Sequence, residues 1–522
     1  MARKKKSKKY KDIRIEITES EVNRRIDQIE ALDCDSELRE FLINTLQALV
    51  GLDKLLGMKE TTLARLRKIF NKQTEKIQPN QSDNDPDAAK SRGGRKAGQG
   101  NNSSEAYPYA NQQNHQLEEH LHAGQSCPEC NSGTLYEYIP GIFIKITGQP
   151  NFEATQHITE KVRCNSCGAI FEAKCEEKCS GKYDSSVSSI LAILHYQAST
   201  PYYRLEKIQK QLMAPMPRSV QCQLMESLAN NLLPVWKAMI NFAQDCKFFY
   251  SDDTRGKVIS LIRENMKLSK AERKGIFTTG IIAKDDKAQA VLFFTGRKHS
   301  GENLSDLLID VPPGLVPQVM SDALSSNNLD QQIEYIKLLC LVHGRRNFLD
   351  LEEVFKQEVD FILQNIAIVY KNEKYIKDSG MDDAQRLKYH QEHSGAVMEK
   401  IYHWCEQKMN NKEIEPNSSL GQAIKYLLKH WEGLTGFLRH EGAALDNNEM
   451  EQKLRTPVLN RKNWLFYHNE STALMGDIIL SVLKTCEVNN VNPFNYLEHV
   501  QKNAEQVKAS PDQFLPWAVD LK

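Results

Sequence analysis

The spacing of apolar positions changes several times along the chain, and each change marks an element. Across residues 18–76 the period is helical. Leu42, Leu49, Leu56, Leu63 and Phe70 recur at every seventh position, and Leu38, Leu52 and Leu66 supply part of a companion seam. A sustained seven-residue repeat is the pattern of a coiled-coil stripe. Thr45 and Lys59 interrupt the seam. Gly51 and Gly57 each weaken a helix interior by about 1 kcal/mol. The segment therefore reads as leucine-zipper-like, serving self-association, or as a helical hairpin packed on its own chain. Residues 77–119 form a polar linker, rich in Asn, Gln, Ser, Gly and Pro. Such a stretch buries too little apolar surface to offset its chain entropy.

Helical spacing returns over residues 186–245, in SSVSSILAILHYQ, YYRLEKIQKQLM and RSVQCQLMESLANNLLPVWKAMINFA. Thr200-Pro201 and Pro215-Met216-Pro217 break the runs, leaving either a helix-turn-helix or a plain helical connector. From Lys247 the period shortens to that of strands. KFFYSDD reads as a buried strand ending in acids, and GIFTTGIIAKDDKAQAVLFFTG as a hairpin about Lys284-Asp285-Asp286-Lys287. VPQVMSDA and IKLLCLVH read as further strands. From Arg345 to about Leu438 the pattern is helical, and beyond it helix and loop mix. A hairpin followed by alternating strand and helix predicts an α/β or α+β domain. At about 150 residues per domain, 522 residues make three to four.

Charge adds a local signal only. Lys and Arg number 68, as do Asp and Glu, which excludes a wholly basic nucleic-acid coat and a wholly acidic tail protein. Residues 1–17 nevertheless form a basic arm. Within residues 1–14, Arg3, Lys4, Lys5, Lys6, Lys8, Lys9, Lys11 and Arg14 stand against Asp12, suited to phosphate contact or to solubility. No apolar run approaches the roughly 18–20 residues of a membrane span, and IEITES follows the arm where a secretory signal would be apolar. A cytoplasmic protein is the expectation. Twelve cysteines are too sparse for a disulfide scaffold.

Four constellations could carry chemistry. Cys127-Pro-Glu-Cys130 and Cys164-Asn-Ser-Cys167 are two C-x-x-C knuckles separated by 33 residues. Four thiolates close a tetrahedral zinc shell without an open position, so the zinc is structural and residues 120–185 form a zinc ribbon. Cys175 and Cys179 are surplus and read as a packing pair. Second, Asp252 and Asp322 end predicted strands, and Glu451 lies in DNNEMEQKLR, where nothing local separates it from Glu449 or Glu441. Clustered carboxylates repel unless cations neutralise them. Two magnesium ions about 4 Å apart would make the cluster a phosphodiester-cleaving centre. Third, Cys340 and His343 suggest a metal pair, but on a strand i and i+3 point to opposite faces, so a shared ion is not expected. Arg345 and Arg346, just after, are suited to phosphates. Fourth, Lys453, Arg455, Arg461 and Lys462 would hold a DNA backbone beside the acids, with Trp464 and Phe466 as apolar anchors.

These pieces stand in an order that resembles the DDE transposases of the insertion sequence sixty-six family, from about residue 30 to about residue 500. CPEC with CNSCG, SDDT at 251–254, CLVHGRRNF at 340–348 and LDNNEMEQKLRTPVLNRKNWLF at 445–466 carry the resemblance. It implies a multidomain α/β chain. An RNase H-like catalytic core (residues 246–348 and 441–500) is split by a helical insertion (349–440) and preceded by the coiled-coil-like segment and the zinc ribbon. Residues 501–522 form a tail. The 128 residues between Asp322 and Glu451 require such an insertion. The resemblance makes Asp252, Asp322 and Glu451 the catalytic, magnesium-binding acids and thereby chooses among the glutamates. It implies metal-dependent strand cleavage and strand transfer on double-stranded DNA, by a homodimer or higher oligomer in the bacterial nucleoid, with element-encoded accessory proteins as partners. The chain departs from the family pattern at Asp253, where Glu is common, and at Ala323-Leu324, where Gly-Tyr is common. It also departs at Gln452, where Arg is usual, and at Asn460, where Gly is usual. Three rivals remain. One is a zinc-containing DNA-binding protein that no longer cuts, another an RNase H-like nuclease that cuts without joining. The third is a zinc-ribbon regulator with no catalytic ancestry.

Overall fold

The computed structural model describes residues 151–158, 160–163, 170–173, 182–269 and 272–521, together with Ile26, Gln28 and Ile29. The chain divides into two units, Met1–Lys145 and Ile146–Lys522. In the first, Ile26, Gln28 and Ile29 are helical. The basic arm, the heptad stripe, the linker and Cys127, Cys130, Cys164, Cys167, Cys175 and Cys179 lie outside the described residues.

The second unit begins with a short antiparallel pair, β1 (Lys161–Arg163) and β2 (Ile170–Glu172), with Val162 opposite Phe171. Three helices follow: α1 (Ser185–Ala192), α2 (Tyr202–Gln211) and α3 (Arg218–Gln244). Asp184 caps α1 by accepting the N–H groups of Ser186 and Val187. Pro201 and Pro217 stand immediately before α2 and α3, where a fixed φ and a missing N–H cost nothing. These helices do not make a core of their own. Leu191, Leu205, Met225, Leu232 and Met239 belong to one continuous core with the sheet strands.

That sheet has five strands: β3 (Phe248–Arg255), β4 (Phe277–Lys284), β5 (Gln289–Gly296), β6 (Gln318–Ser321) and β7 (Ile336–Leu339). Their order is β5-β4-β3-β6-β7. β3, β4 and β5 form an antiparallel meander, whereas β6 and β7 run parallel to β3. The β4–β5 turn forms because Asp285 Oδ1 accepts the N–H groups of Lys287 (2.8 Å) and Ala288 (2.7 Å). β4 is buried along nearly its whole length, on both faces, so its sequence does not alternate between apolar and charged residues.

The helices that follow β3 are α4 (Ile259–Asn265), α5 (Ser300–Leu307), α6 (Leu341–Leu349), α7 (Lys356–Asp378), α8 (Asp383–His393), α9 (Gly395–Asn410), α10 (Ser419–Lys429) and α11 (Trp431–Leu434). After them come α12 (Asn448–Trp464), α13 (Glu470–Val488), α14 (Pro493–Lys502) and α15 (Ala504–Ala509). Helices α6, α7, α9 and α10 build a second core, through Phe348, Ile362, Ile366, Ile401 and Leu427, which adjoins Met320, Leu338 and Leu339 of the sheet. Among the described residues no helix is long and apolar enough to cross a membrane.

The exposed edge of β5 is closed by side chains of α13. Asp477, Ser481, Thr485 and Asn489 accept the N–H groups of Thr295 (2.6 Å), Phe293 (2.9 Å), Val291 (2.9 Å) and Gln289 (3.3 Å). Four helical residues advance about 6 Å, close to the roughly 6.8 Å of two strand residues. One polar stripe can thus pair every second N–H of the strand and protect the edge.

β7 departs from the sequence expectation. IKLLCLVH was expected to be a strand through His343, but the strand ends at Leu339 and α6 starts at Leu341, with Cys340 at its N-cap. The N–H of Leu341 is taken by the carbonyl of Leu445 (3.0 Å), so a distant segment stops the strand.

Candidate active site

Asp252 is the fifth of the eight residues of β3; the strand was expected to end at the acids but runs on to Arg255, paired there with β4 alone. In the β3–β6 ladder Tyr250 is opposite Met320, so two residues further along Asp252 is level with Asp322, the first residue beyond β6. With a side-chain period of two, both acids fall on the face shared by Tyr250 and Met320. The turn after β6 holds Asp322. Its Oδ1 accepts the N–H of Leu324 (3.2 Å) and an amide hydrogen of the buried Asn327.

Glu451 arrives on the first turn of α12, and two devices bring that turn against the sheet. The first is Gly280, the antiparallel partner of Asp252. A Cβ there would run into the Met450 methyl and approach Leu454 Cδ2 to 3.1 Å, so the glycine leaves room for these two side chains of α12 over the strand. The second is Asn447, which is fully buried. Its Nδ2 donates to the Ser251 carbonyl (3.0 Å), its N–H to Cys340 Sγ (3.3 Å), and its carbonyl accepts the N–H of Glu451 (3.1 Å). One residue thereby ties together the middle of β3, the end of β7 and the start of α12.

The electrostatics agree with this convergence. Burial pushes the Asp252 carboxyl up to about 7; the N–H of Asp253 opposes this, and the charges of Asp322, Glu451 and Asp253 push it further up. Asp253 has a different occupation. Its carboxylate accepts from Thr279 Oγ1 (2.7 Å), His299 Nδ1 (3.0 Å) and the N–H of Ser300 (3.0 Å), which anchors the start of α5. Asp252 Oδ1 accepts the N–H of Asp253 (2.8 Å), and Glu451 Oε1 is buried without a hydrogen-bond partner.

An open cleft of about 480 Å³ lies over these residues, walled by Asp252, His343, Arg346, Glu451, Arg455 and Lys462. Asp322 is beside Asp252 but not on the cleft wall. Of the six basic residues read as DNA contacts, Arg346, Arg455 and Lys462 face the cleft. Arg461 donates to the Arg255 carbonyl at its margin. Lys453 turns away and pairs with Glu487 of α13 (2.7 Å). Arg345 is not on the cleft wall. Trp464 packs on His195 (ring centroids 4.9 Å), whereas Phe466 is exposed.

The dismissal of Cys340 and His343 as a pair needs correction. At a helix start, i and i+3 share a face. Cys340 Sγ, a His343 ring nitrogen and a Glu451 oxygen lie within 4.8 Å of one another, with His343 Nε2 3.9 Å from Glu451 Oε1. Sequence reasoning also gave no role to Asn447 or Gly280. The available signals were C-x-x-H at a strand-to-helix junction and a glycine in the middle of a strand.

The chain is 28% identical over 192 residues to the uncharacterized protein y4hP of Sinorhizobium fredii (strain NBRC 101917 / NGR234), covering 34% of each chain. It is 29% identical over 182 residues to y4jD of the same organism, covering 34% of this chain and 35% of that one. The chain thus spans about a third of the length of the curated relatives it matches. The family model described as "Transposase IS66 family" matches residues 180–475, from just before α1 into α13, and includes Asp252, Asp322 and Glu451. The chain belongs to the IS66 family of transposases.

Proposed function

We propose that this chain is a DDE transposase that cuts double-stranded DNA at transposon ends and joins the freed ends to target DNA, using Asp252, Asp322 and Glu451. The observation that carries the reading is the convergence of these three acids, from two adjacent parallel strands and a helix, beside a cleft walled by Arg346, Arg455 and Lys462. The sheet order, three antiparallel strands followed by two parallel ones, supports an RNase H-like core. The helices between β7 and α12 would be its insertion.

The donor set fits magnesium. All three groups are carboxylates, the Asp252 charge is disfavoured where it stands, and a Glu451 oxygen lacks any hydrogen-bond donor. Bound magnesium supplies positive charge that stabilises the transferring phosphoryl group. Asp252, Asp322 and Glu451 would hold it. Arg346, Arg455 and Lys462 bind and orient the DNA backbone, with Arg461 at the margin. Asn447 and Gly280 keep Glu451 in register with the aspartates. In this reading water attacks the phosphorus at the transposon end and the bond to the 3′ oxygen breaks; the resulting 3′-hydroxyl then attacks a target phosphorus, whose own bond to the target 3′ oxygen breaks, leaving a target 3′-hydroxyl. Cys127, Cys130, Cys164 and Cys167 would hold structural zinc; β1 and β2 flank the second knuckle in sequence, as the strands of a ribbon would. Self-association and accessory proteins belong to the same proposal.

The test is Asp322→Asn, assayed on end-bearing DNA with magnesium. Cleavage should be abolished while the melting profile and end binding persist. A variant that still cuts removes the catalytic assignment. Strand-transfer products distinguish a transposase from a nuclease that only cuts.

A further inference from the structure

We propose that Cys340, His343 and Glu451 form a second cation site, for a zinc-class ion, in the wall of the catalytic cleft. Three ligand atoms of different chemistry meet there, all within 4.8 Å of one another. In a tetrahedral zinc site with bonds of about 2.0–2.3 Å, neighbouring ligands stand about 3.3–3.6 Å apart. The His343 Nε2 to Glu451 Oε1 separation of 3.9 Å is already close to that, and both side chains are 27% exposed, so small rotations complete the approach.

The surroundings leave the site poorly partnered. Glu451 Oε1 is buried without a hydrogen-bond partner, and so is His343 Nδ1, the ring nitrogen opposite the Nε2 that faces Glu451. Cys340 Sγ accepts the backbone N–H of Asn447 (3.3 Å), the kind of outer contact that supports a metal-bound thiolate. A set of sulfur, imidazole nitrogen and one carboxylate oxygen suits zinc, cobalt(II) or cadmium, whereas magnesium selects oxygen alone. Three protein ligands leave a fourth position, as in zinc sites that admit water or substrate. His343 and Glu451 both line the cleft, so that position opens toward it. On binding, the Cys340 thiol proton leaves to solvent and the sulfur takes the ion.

The site shares Glu451 with the proposed magnesium cluster. Filling it draws that carboxylate toward Cys340 and His343 and away from Asp252 and Asp322. This consequence for cleavage rests on the proposed function; the binding does not.

The experiment titrates cobalt(II) into the full chain without DNA, following the sulfur-to-cobalt charge-transfer band in the near ultraviolet. Wild type is compared with Cys340→Ser and His343→Ala; the knuckle cysteines are the same in all three and cancel. Wild type should take up one more thiolate-ligated cobalt than either variant. Loss of a direct ligand should weaken that binding by at least the roughly tenfold to hundredfold that outer-shell partners are worth. His343 is partly exposed, so its variant remains informative if Cys340→Ser folds poorly. Identical isotherms for wild type and His343→Ala overturn the site. In a second arm, zinc added to a magnesium-dependent cleavage reaction should slow wild type at lower concentration than His343→Ala, each scaled to its own zinc-free rate. Cobalt binding without any cleavage would defeat the proposed function and leave the site standing. Cleavage that needs Asp322, with identical isotherms, would do the reverse.

Discussion

Removing the Asn447 side chain should separate what holds Glu451 in place from what Glu451 does. Asn447→Ala deletes the donor that satisfies the buried Ser251 carbonyl at 3.0 Å. It leaves the backbone bonds of residue 447 to Cys340 and Glu451 available. A buried carbonyl left unpaired costs about 1–3 kcal/mol, and that is the expected loss of stability. The same energy holds the first turn of α12 against β3. If the turn must be redocked in each catalytic event, a penalty of this size slows cleavage by roughly five- to 150-fold. The assays are urea unfolding and single-turnover cleavage of end-bearing DNA at saturating magnesium. DNA binding should be nearly unchanged, because Arg346, Arg455 and Lys462 are untouched. Unchanged stability together with wild-type cleavage would refute the idea that this bond positions Glu451.

Other expectations follow from the packing around the site. Gly280→Val presses a branched side chain into Met450 and Leu454 beneath α12; overpacking of this kind costs about 1–3 kcal/mol. Cleavage should fall more than DNA binding, and a neutral or stabilising effect in thermal melts would contradict the close approach. In the helices after β7, Glu373 accepts from Arg386 Nε (3.0 Å) and His390 Nε2 (2.9 Å). Burial raises its carboxyl, but His390 and Arg386 outweigh that and hold it at about 2, below the ordinary 4.5. Because the folded value is the lower one, this stabilisation is complete above pH 4.5 and disappears as pH falls toward 2. It amounts to on the order of 3 kcal/mol. Glu373→Gln should remove that part of the acid dependence in pH-resolved unfolding and, by leaving Arg386 without its carboxylate, destabilise by about 3–5 kcal/mol. A variant with the wild-type acid profile would show that Glu373 is not the responsible group.

Much of the scaffold was legible along the chain because its signals are local. Apolar spacing shows the β4–β5 hairpin, and Asp285 explains its turn from within four residues. Prolines at 201 and 217 mark the starts of α2 and α3. Acids at the ends of apolar runs marked Asp252 and Asp322, since a buried strand that turns polar is leaving the core. The choice of Glu451 over its neighbours needed the family resemblance, because a helix carries no local mark of which turn will meet a sheet. Tertiary contacts decided the rest. Lys453 and Arg455 look alike in sequence, yet the rotation of α12 about its axis sends one to Glu487 and the other to the cleft. Asp252 and Asp253 are adjacent, and only α5 and Thr279 show which carboxylate is already engaged. Cys340 and His343 share a face because the Leu445 carbonyl, about a hundred residues away, takes the first helical N–H and ends the strand there, while the Asn447 N–H binds the Cys340 sulfur. Local periodicity specifies which residues are buried and in what kind of element. Where an element stops, and which neighbour its polar atoms find, depends on hydrogen-bond partners that only the folded chain brings near.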